Sequence, residues 1–227
     1  YNTAVGIVSL NSNTTGNANT AVGRSAISGN TTGSYNTGIG MYALQANTTA
    51  SNNTAVGYQA GYSNTTGYEN DSFGVQAGYS YTTTNRNTSI GSYAGRYQTG
   101  YYNTYVGAEA GQGNNGASTG SGNVGVGTYA LTALTTGSNN VAIGSWTGGS
   151  PAPLQGNTTG SSNIAVGSGA LGNNTSASNN TAVGYQAGYS NTTGISNTNL
   201  GYQAGYTNQT GQYNVFLGYQ ALSLIHI

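Results

Sequence analysis

The sequence predicts an all-β protein, a parallel β-solenoid of the β-roll type with about thirteen coils of 17 residues. One observation is a block of the form Asn-(Thr/Val/Ile)-x-(Val/Ile/Leu/Phe)-Gly, which recurs thirteen times, and nine of the twelve intervals between its Asn residues are 17 residues long. The other is the composition, with 39 Gly against two Phe and one Trp. A unit this small cannot bury an apolar face alone, so successive units must stack on one another. The opening residues are Asn2, Asn19, Asn36, Asn53, Asn70, Asn87, Asn103, Asn123, Asn140, Asn163, Asn180, Asn197 and Asn214.

The first five positions of each unit predict a short strand that ends at a corner. With the opening Asn as position 1, position 2 is β-branched in twelve copies, Asp71 being the exception, and position 4 is Val, Ile, Leu or Phe in all thirteen. Such alternation is typical of a strand with one inward and one outward face. Gly follows at position 5 in every copy, as at Gly57. This glycine indicates a turn with positive φ or close packing of the next coil. Position 4 is expected to form one stacked column of parallel strand residues.

The second half of the unit predicts a second short β segment. Position 8 is Ala in eleven copies, a side chain small enough for the inside of a narrow coil, and positions 12 to 15 read Asn-Thr-Thr-Gly in the fuller copies, such as residues 64–67. The inward-facing residues are therefore expected to be mainly Thr, Val and Ala, which is a thin core. Stacking at about 4.8 Å per coil gives a rod of roughly 60 Å.

Stacked Asn residues at position 1 are expected to form amide ladders along the rod. Asn-x-Thr/Ser triplets match the acceptor pattern for N-glycosylation. Because they recur at one position of the repeat, we interpret them instead as turn and ladder residues. These triplets include Asn13, Asn30, Asn64, Asn157 and Asn191.

The repeat region covers residues 1–222 and is interpreted as one β-roll domain, a fragment of a longer fibre. Two insertions interrupt it: three extra residues within 114–122 and six around 148–156, both in the second half of their unit. Residues 223–227 fit no repeat position and are interpreted as a non-native or artefactual tail, expected to be unpaired. A disordered low-complexity chain is the alternative interpretation, but it does not require an aliphatic-Gly pair in register thirteen times.

The composition argues against catalysis and against charged partners. Charged residues make up 3% of the chain and the formal net charge is zero, so neither nucleic acid nor an anionic membrane meets a basic surface. Cysteine is absent and the single His lies in the tail, which leaves Glu69, Asp71 and Glu109 for acid–base work, and we interpret these as surface charges. A calcium β-roll needs an acidic residue in each turn, whereas this chain has a single Asp. We therefore expect no enzyme, no cofactor and no metal site.

Tyrosine is the residue type in surplus, with 20 copies. Units that contain Gly-Tyr-Gln-Ala-Gly-Tyr place Tyr at positions 6 and 10, where stacked coils are expected to align them as exposed ladders. Such ladders could contact glycan rings by stacking and hydrogen bonding; alternatively they shield the glycine corners or pack against a sister chain. Trp146, beside the longer insertion, is a local candidate for a contact surface. The possible ligand-contact residues are Tyr58, Tyr62, Tyr185, Tyr189, Tyr202, Tyr206 and Trp146.

The units NTAVGYQAGYSNTTG and NTAVGRSAISGNTTG resemble the head repeats of trimeric autotransporter adhesins of the YadA type. They also resemble the Asn-Thr-Ala-x-Gly-Tyr-Gln-Ala-Leu repeats of bacterial and phage tail-fibre-domain proteins. The resemblance covers residues 1–222, although the unit of 17 residues is longer than that of the adhesin repeat. It implies a left-handed parallel β-roll assembled as a homotrimer and displayed outside the cell or on a virion, with an adhesive or spacing role.

The leading hypothesis is therefore a structural and adhesive module of an extracellular surface fibre or phage tail fibre. Its partners would be further copies of itself and a host-surface glycan or protein, with no membrane contact within residues 1–222. The alternative is an ice-binding β-solenoid, in which ranks of Thr order water. An ice-binding face favours Thr at alternate positions, whereas position 3 mixes Ala, Gly, Ser, Tyr105, Asn199 and Phe216 and the paired Thr are adjacent, which argues against ice binding.

Overall fold

In a computed structural model, which describes residues 1–114 and 118–222, each repeat contributes one β-strand of three residues. The described residues contain no helix, and the thirteen strands form a single sheet in chain order. The strands are β1 (Thr3–Val5), β2 (Thr20–Val22), β3 (Thr37–Ile39), β4 (Thr54–Val56), β5 (Asp71–Phe73), β6 (Thr88–Ile90), β7 (Thr104–Val106), β8 (Val124–Val126), β9 (Val141–Ile143), β10 (Ile164–Val166), β11 (Thr181–Val183), β12 (Thr198–Leu200) and β13 (Val215–Leu217).

All strand pairs are parallel, and each pairs the same position of consecutive repeats, which confirms the predicted β-solenoid. β4 pairs with β5 through Thr54 with Asp71 and Val56 with Phe73. The register survives both insertions, because Thr104 pairs with Val124 and Val141 with Ile164. The described residues of both insertions therefore lie outside the sheet. The predicted tail at 223–227 is outside the described residues.

The strands face the opposite way from the sequence expectation. Position 3 points inward: Ala21, Ala55 and Ala142 are fully buried. The Thr and aliphatic residues at positions 2 and 4 point outward, so the expected core of Thr and Val is wrong, whereas the alanines at position 8, such as Ala60, are buried as expected. Alternation fixes that positions 2 and 4 share a face, and the buried face carries position 3, which is Ala in several coils and the fully buried Tyr105 in β7.

Larger apolar side chains fill the core from position 9 and from the middle coils. Position 9 supplies buried residues such as Ile27, Leu44 and Leu171. Around β5 to β8 the filling is aromatic, since Tyr81 and Tyr105 are both fully buried, and the Tyr81 hydroxyl lies 2.7 Å from Ser89 Oγ. Burial raises the pKa of both phenols above the ordinary value.

Two separate constraints favour glycine at position 5, namely the backbone φ angle and the close approach of the next coil. Gly57 has φ of +137°, a region that side-chain-bearing residues rarely adopt, and a Cβ on it would lie 2.5 Å from the carbonyl oxygen of Gly74 in the next coil. The glycine column thus lets successive coils approach closely. This confirms the turn predicted at the end of each strand.

The expected second β segment is not a strand. In the first two coils the N–H groups of Thr14 and Thr15 both donate to the Thr31 carbonyl, at 2.8 and 3.2 Å. The Thr14 hydroxyl donates to the same oxygen at 2.9 Å. Donors that converge on one acceptor join the coils here without the alternating pairs of a β ladder.

A buried amide ladder at position 1 runs along the rod and confirms the predicted role of Asn, and a second, at position 12, is interrupted in the middle coils, where that position is Tyr81, Gln98 or Leu134. At position 1, the Asn36 N–H donates to Asn19 Oδ1 at 2.9 Å, and Asn36 Nδ2 donates to the Ala50 carbonyl at 2.8 Å. At position 12, Asn47 Nδ2 donates to Asn30 Oδ1 at 2.7 Å. Both ladders satisfy polar groups that water cannot reach.

The burial of the position 12 ladder also explains the Asn-x-Thr/Ser triplets. Asn30, Asn64 and Asn157 have side-chain exposures of 1% or less, and each Nδ2 is bonded to a carbonyl oxygen three residues on. A buried, hydrogen-bonded amide is not an acceptor for a glycan. The interpretation as turn and ladder residues therefore fits the structure.

Candidate functional site

The outer sheet face, defined here as the side chains at positions 2 and 4 of β1 to β13, extends along all thirteen strands of the sheet. Position 4 forms the expected column, and its large side chains are exposed: Ile39 by 39%, Ile90 by 42% and Leu200 by 44%. Position 2 carries Thr in most strands and the aliphatic residues Val124, Val141 and Ile164 in three consecutive strands. Large contiguous apolar patches of this kind mark interaction surfaces.

The predicted tyrosine ladders exist as separate stacks. Tyr185, Tyr202 and Tyr219 follow one another with ring centroids 5.3 and 5.1 Å apart, and Tyr189 stacks on Tyr206 at 5.2 Å with an interplanar angle of 5°. In the other coils the tyrosine rings do not form a continuous stack. Tyr62 stacks on Tyr79 at 5.0 Å, whereas Tyr58 meets Tyr42 edge to face at 6.4 Å.

Face-to-face stacking changes what these ladders can bind. Tyr202 lies between Tyr185 and Tyr219, so both faces of its ring are covered by other rings. A sugar ring binds an aromatic residue through that face. Inside a stack only the ring edge and the hydroxyl remain available, and the glycan contact expected from the sequence is restricted to rings with an open face.

A cleft of about 460 Å³ lies beside the longer insertion and brings together Trp146 and Tyr189, two of the predicted contact residues. Trp146 is 51% exposed and contacts Tyr129 in a T-shaped arrangement, with centroids 6.2 Å apart. The cleft contains no charged side chain. Its lining is Trp146, Gly148, Gly149, Ser150, Pro151, Gln155, Gly156, Gly172, Asn173 and Tyr189.

Hydrogen bonds attach the insertion to the neighbouring coils and so fix the cleft. The Gly169 N–H donates to the Pro151 carbonyl at 2.7 Å, and Gln186 Nε2 donates to Ser150 Oγ at 3.3 Å. Within the insertion the Ala152 N–H donates to Gln155 Oε1 at 2.9 Å. These bonds hold the polar lining residues in place before any ligand arrives.

The few charged residues form surface contacts with tyrosine and with each other. Arg86 Nε donates to Glu69 Oε2 at 2.7 Å between exposed side chains, and this ion pair raises the pKa of the Arg86 guanidinium. Arg96 lies 4.7 Å from the ring centroid of Tyr97. Asp71 occupies position 2 of β5 on the outer sheet face. Among the described residues no three His, Cys, Asp or Glu side chains cluster as metal ligands would.

The described residues also include no helix of the length and apolar character that a membrane crossing requires. The sequence predicted only part of the cleft. It singled out Trp146, the insertion and Tyr189 separately, but it did not predict that Tyr189 lies beside the other two. The available signal was Gly172, which stands at position 10 where the two following units carry Tyr189 and Tyr206.

The chain matches no model of a protein family, and no curated protein or solved structure is significantly similar to it. The likeness to adhesin head repeats and tail-fibre repeats therefore rests on the residues of the repeat alone.

Proposed function

We propose that the chain is a structural and adhesive module of an extracellular fibre that assembles as a homotrimer. The observation that supports this most strongly is the outer sheet face, on which apolar side chains at position 4, aliphatic except for Phe73, follow one another along the whole sheet. A rod whose coils repeat in register presents the same spacing to every copy of itself. Copies can therefore align coil against coil.

The energetic argument favours association along this face. Burying the exposed part of one Ile or Leu side chain contributes roughly 1 kcal/mol. Seven of the thirteen side chains at position 4 are exposed, so the sum is on the order of 7 kcal/mol, which is comparable with the entropic cost of association, about 4–15 kcal/mol. The trimeric state, rather than a dimer, and the setting on a bacterial surface or a virion follow from the resemblance of the repeats.

The adhesive part of the proposal uses surfaces that assembly leaves open. The stacks of Tyr185 and Tyr189 follow the glycine corner, so they lie beyond the strand residues of the outer sheet face. Tyrosine combines apolar area with a polar tip and loses little entropy on binding. A repeated array of such residues offers many weak contacts to one extended partner, a host-surface glycan or protein.

Light scattering on the purified chain, alone and fused to a trimeric coiled coil, tests the assembly. We expect three chains per particle, and the double variant Ile90→Lys/Ile143→Lys should dissociate while its circular dichroism is unchanged. The matched double variant Tyr185→Lys/Tyr202→Lys should leave the assembly intact. Monomers of the unsubstituted chain in both forms would contradict the proposal.

Ice binding is the second candidate, and one observation now favours it. Position 3 points inward, so its mixed residues no longer argue against an ordered outer face. Threonine and aliphatic side chains such as Thr54 and Val56 stand about 7 Å apart across that face and repeat at about 4.8 Å along it. Thermal hysteresis that is lost in Thr37→Lys/Thr54→Lys would establish this function. Because both candidates use the same face, a trimer that buries it excludes ice binding.

A further inference from the structure

We propose that the cleft between Trp146 and Tyr189 is a binding site for a neutral hexopyranose unit of a glycan. The proposal deepens the adhesive role inferred above and rests on it for its biological meaning. Four features of the cleft support it: a tyrosine ring in its wall, an exposed indole, uncharged hydrogen-bonding groups, and a loop that is fixed in place.

Tyr189 lines the cleft at the end of a tyrosine stack. It stacks on Tyr206 on one side, and on its other side the preceding coil has Gly172 at the equivalent position. A Cβ on Gly172 would lie 2.7 Å from Pro151 Cγ and 3.4 Å from Tyr189 Cδ2, so the proline of the insertion, and not a further tyrosine, is the neighbour on this side. Unlike Tyr202, which lies between two stacked rings, Tyr189 has one stacked tyrosine and contributes its ring to the wall of the cleft.

The indole of Trp146 supplies a second aromatic surface. It is half-exposed, and its aromatic neighbour Tyr129 meets it at an interplanar angle of 82°, which is not a face-to-face stack. The C–H face of a pyranose ring packs against aromatic side chains, and tryptophan offers the largest aromatic area for this contact. Two aromatic residues in one cleft favour a ring-shaped ligand with an apolar face.

The polar lining matches a ligand that is neutral and rich in hydroxyl groups. The Oε1 of Gln155 accepts a hydrogen bond from the Ala152 N–H, and this bond fixes the orientation of the Gln155 amide. The Nε2 of the same amide is a hydrogen-bond donor. Asn173 adds an exposed amide and Ser150 a nearly buried hydroxyl. Amides and hydroxyls both donate to and accept from sugar hydroxyls, and the absence of charge from the lining disfavours acidic sugars and phosphate. The volume of about 460 Å³ lies within the usual range for small-molecule sites.

The sequence supplies its own probe for this site, because Trp146 is the single tryptophan. Tryptophan fluorescence of the full chain should be followed while it is titrated with neutral disaccharides: lactose, N-acetyllactosamine, cellobiose, maltose, chitobiose and mannobiose. We expect a saturable change with at least one of them and a Kd on the order of 1 mM, typical of a single shallow site. Sialyllactose and digalacturonic acid serve as acidic comparisons, and a decaproline peptide tests a peptide ligand instead.

Variants separate the cleft from the tyrosine stacks. Tyr189→Ala and Gln155→Ala should each weaken binding at least tenfold, whereas Tyr202→Ala, in a stack whose faces are covered, should leave it unchanged. The site is overturned if no neutral disaccharide gives a saturable change, if Tyr189→Ala binds as tightly as the parent, or if an acidic sugar or decaproline binds best. Light scattering on the same samples keeps the two proposals distinct: a monomer that binds retains the site and refutes the trimer, and a trimer that does not bind refutes the site alone.

Discussion

Ser72 and Phe73 are neighbours on β5, yet the serine is 1% exposed inside the coil and the phenylalanine is 38% exposed on the outer sheet face. This pair inverts the usual preference of the two residue types. It shows that the strand alternation, rather than hydrophobicity, decides which of the two side chains faces the core. In this coil the large apolar side chain is therefore left on the outer sheet face.

The first prediction compares two neighbours on β4. Ala55→Asp places a carboxylate in the fully buried position 3 and should lower the free energy of unfolding by several kcal/mol, enough to unfold a marginal rod. Val56→Asp points outward, where β5 already carries Asp71 in the neighbouring column, and should change the free energy of unfolding of the dissociated chain by less than about 1 kcal/mol. Thermal unfolding followed by circular dichroism measures both. Equal damage from the two variants would contradict the inward placement of position 3.

The strands, their parallel order and the glycine corners could be predicted from the sequence, because they repeat in register at a fixed spacing. The direction of the strand faces could not. Alternation along the strand indicates that Thr54 and Val56 share a face, but it does not indicate whether that face is buried or exposed. The variety of residues at position 3, from Ala55 to Tyr105, resembled the variation that is typical of surface positions. In the structure that variety reflects a core whose cross-section changes from coil to coil.

The corners that lack glycine could not be predicted either. Leu44 and Gln59 adopt φ of 49° and 55°, a region that favours glycine or asparagine, and stacking on the neighbouring coils holds them there. The cleft was missed for a related reason, because it depends on Gly172 lying next to an insertion from the previous coil. Contacts between coils decide both features, and a single unit of sequence does not contain them.

The second prediction concerns the glycine corner. Gly57→Ala should lower the free energy of unfolding by about 2 kcal/mol or more, because alanine at φ of +137° is strained and its Cβ meets the carbonyl of Gly74. Gly149→Ala is the matched control, since a Cβ there has no heavy atom within 4 Å. Urea denaturation of the two variants makes the comparison. A Gly57→Ala variant as stable as Gly149→Ala would refute close approach at the corner.

The third prediction concerns the buried amide ladder at position 1. Asn36→Ala leaves the Asn53 N–H without its partner and removes one of the two donors to the Ala50 carbonyl, and should lower the free energy of unfolding by about 1–3 kcal/mol. Asn11→Ala, at an exposed asparagine, should have an effect within about 0.5 kcal/mol. The same denaturation assay applies. Similar midpoints for the two variants would show that the ladder contributes little.

The fourth prediction is a loss of stability in alkali. An unfolded tyrosine loses its proton near pH 10, while burial raises the pKa of Tyr81 and Tyr105 in the folded chain. Below pH 10 both states hold the proton and stability does not change on this account. Above it only the unfolded state is deprotonated, so stability should fall by about 1.4 kcal/mol per pH unit for each buried tyrosine.

Denaturation midpoints between pH 9 and 12 measure this slope. Tyr81→Phe should reduce the slope by about half, while Tyr213→Phe, at a residue 74% exposed, should leave it unchanged. A slope that is the same in Tyr81→Phe as in the parent would mean that Tyr81 is not the group that titrates.

The fifth prediction, and the measurement that tests the central claim most directly, is the accessibility of the outer sheet face in solution. The chain has no cysteine, so Ile143→Cys on β9 and Tyr202→Cys in a tyrosine stack each introduce a single thiol. Reaction with a water-soluble maleimide should be at least tenfold slower at position 143 than at position 202, and the difference should disappear when the assembly is dissociated by dilution. Equal, fast labelling of both thiols at high protein concentration would show that no second copy covers the face and would contradict the account.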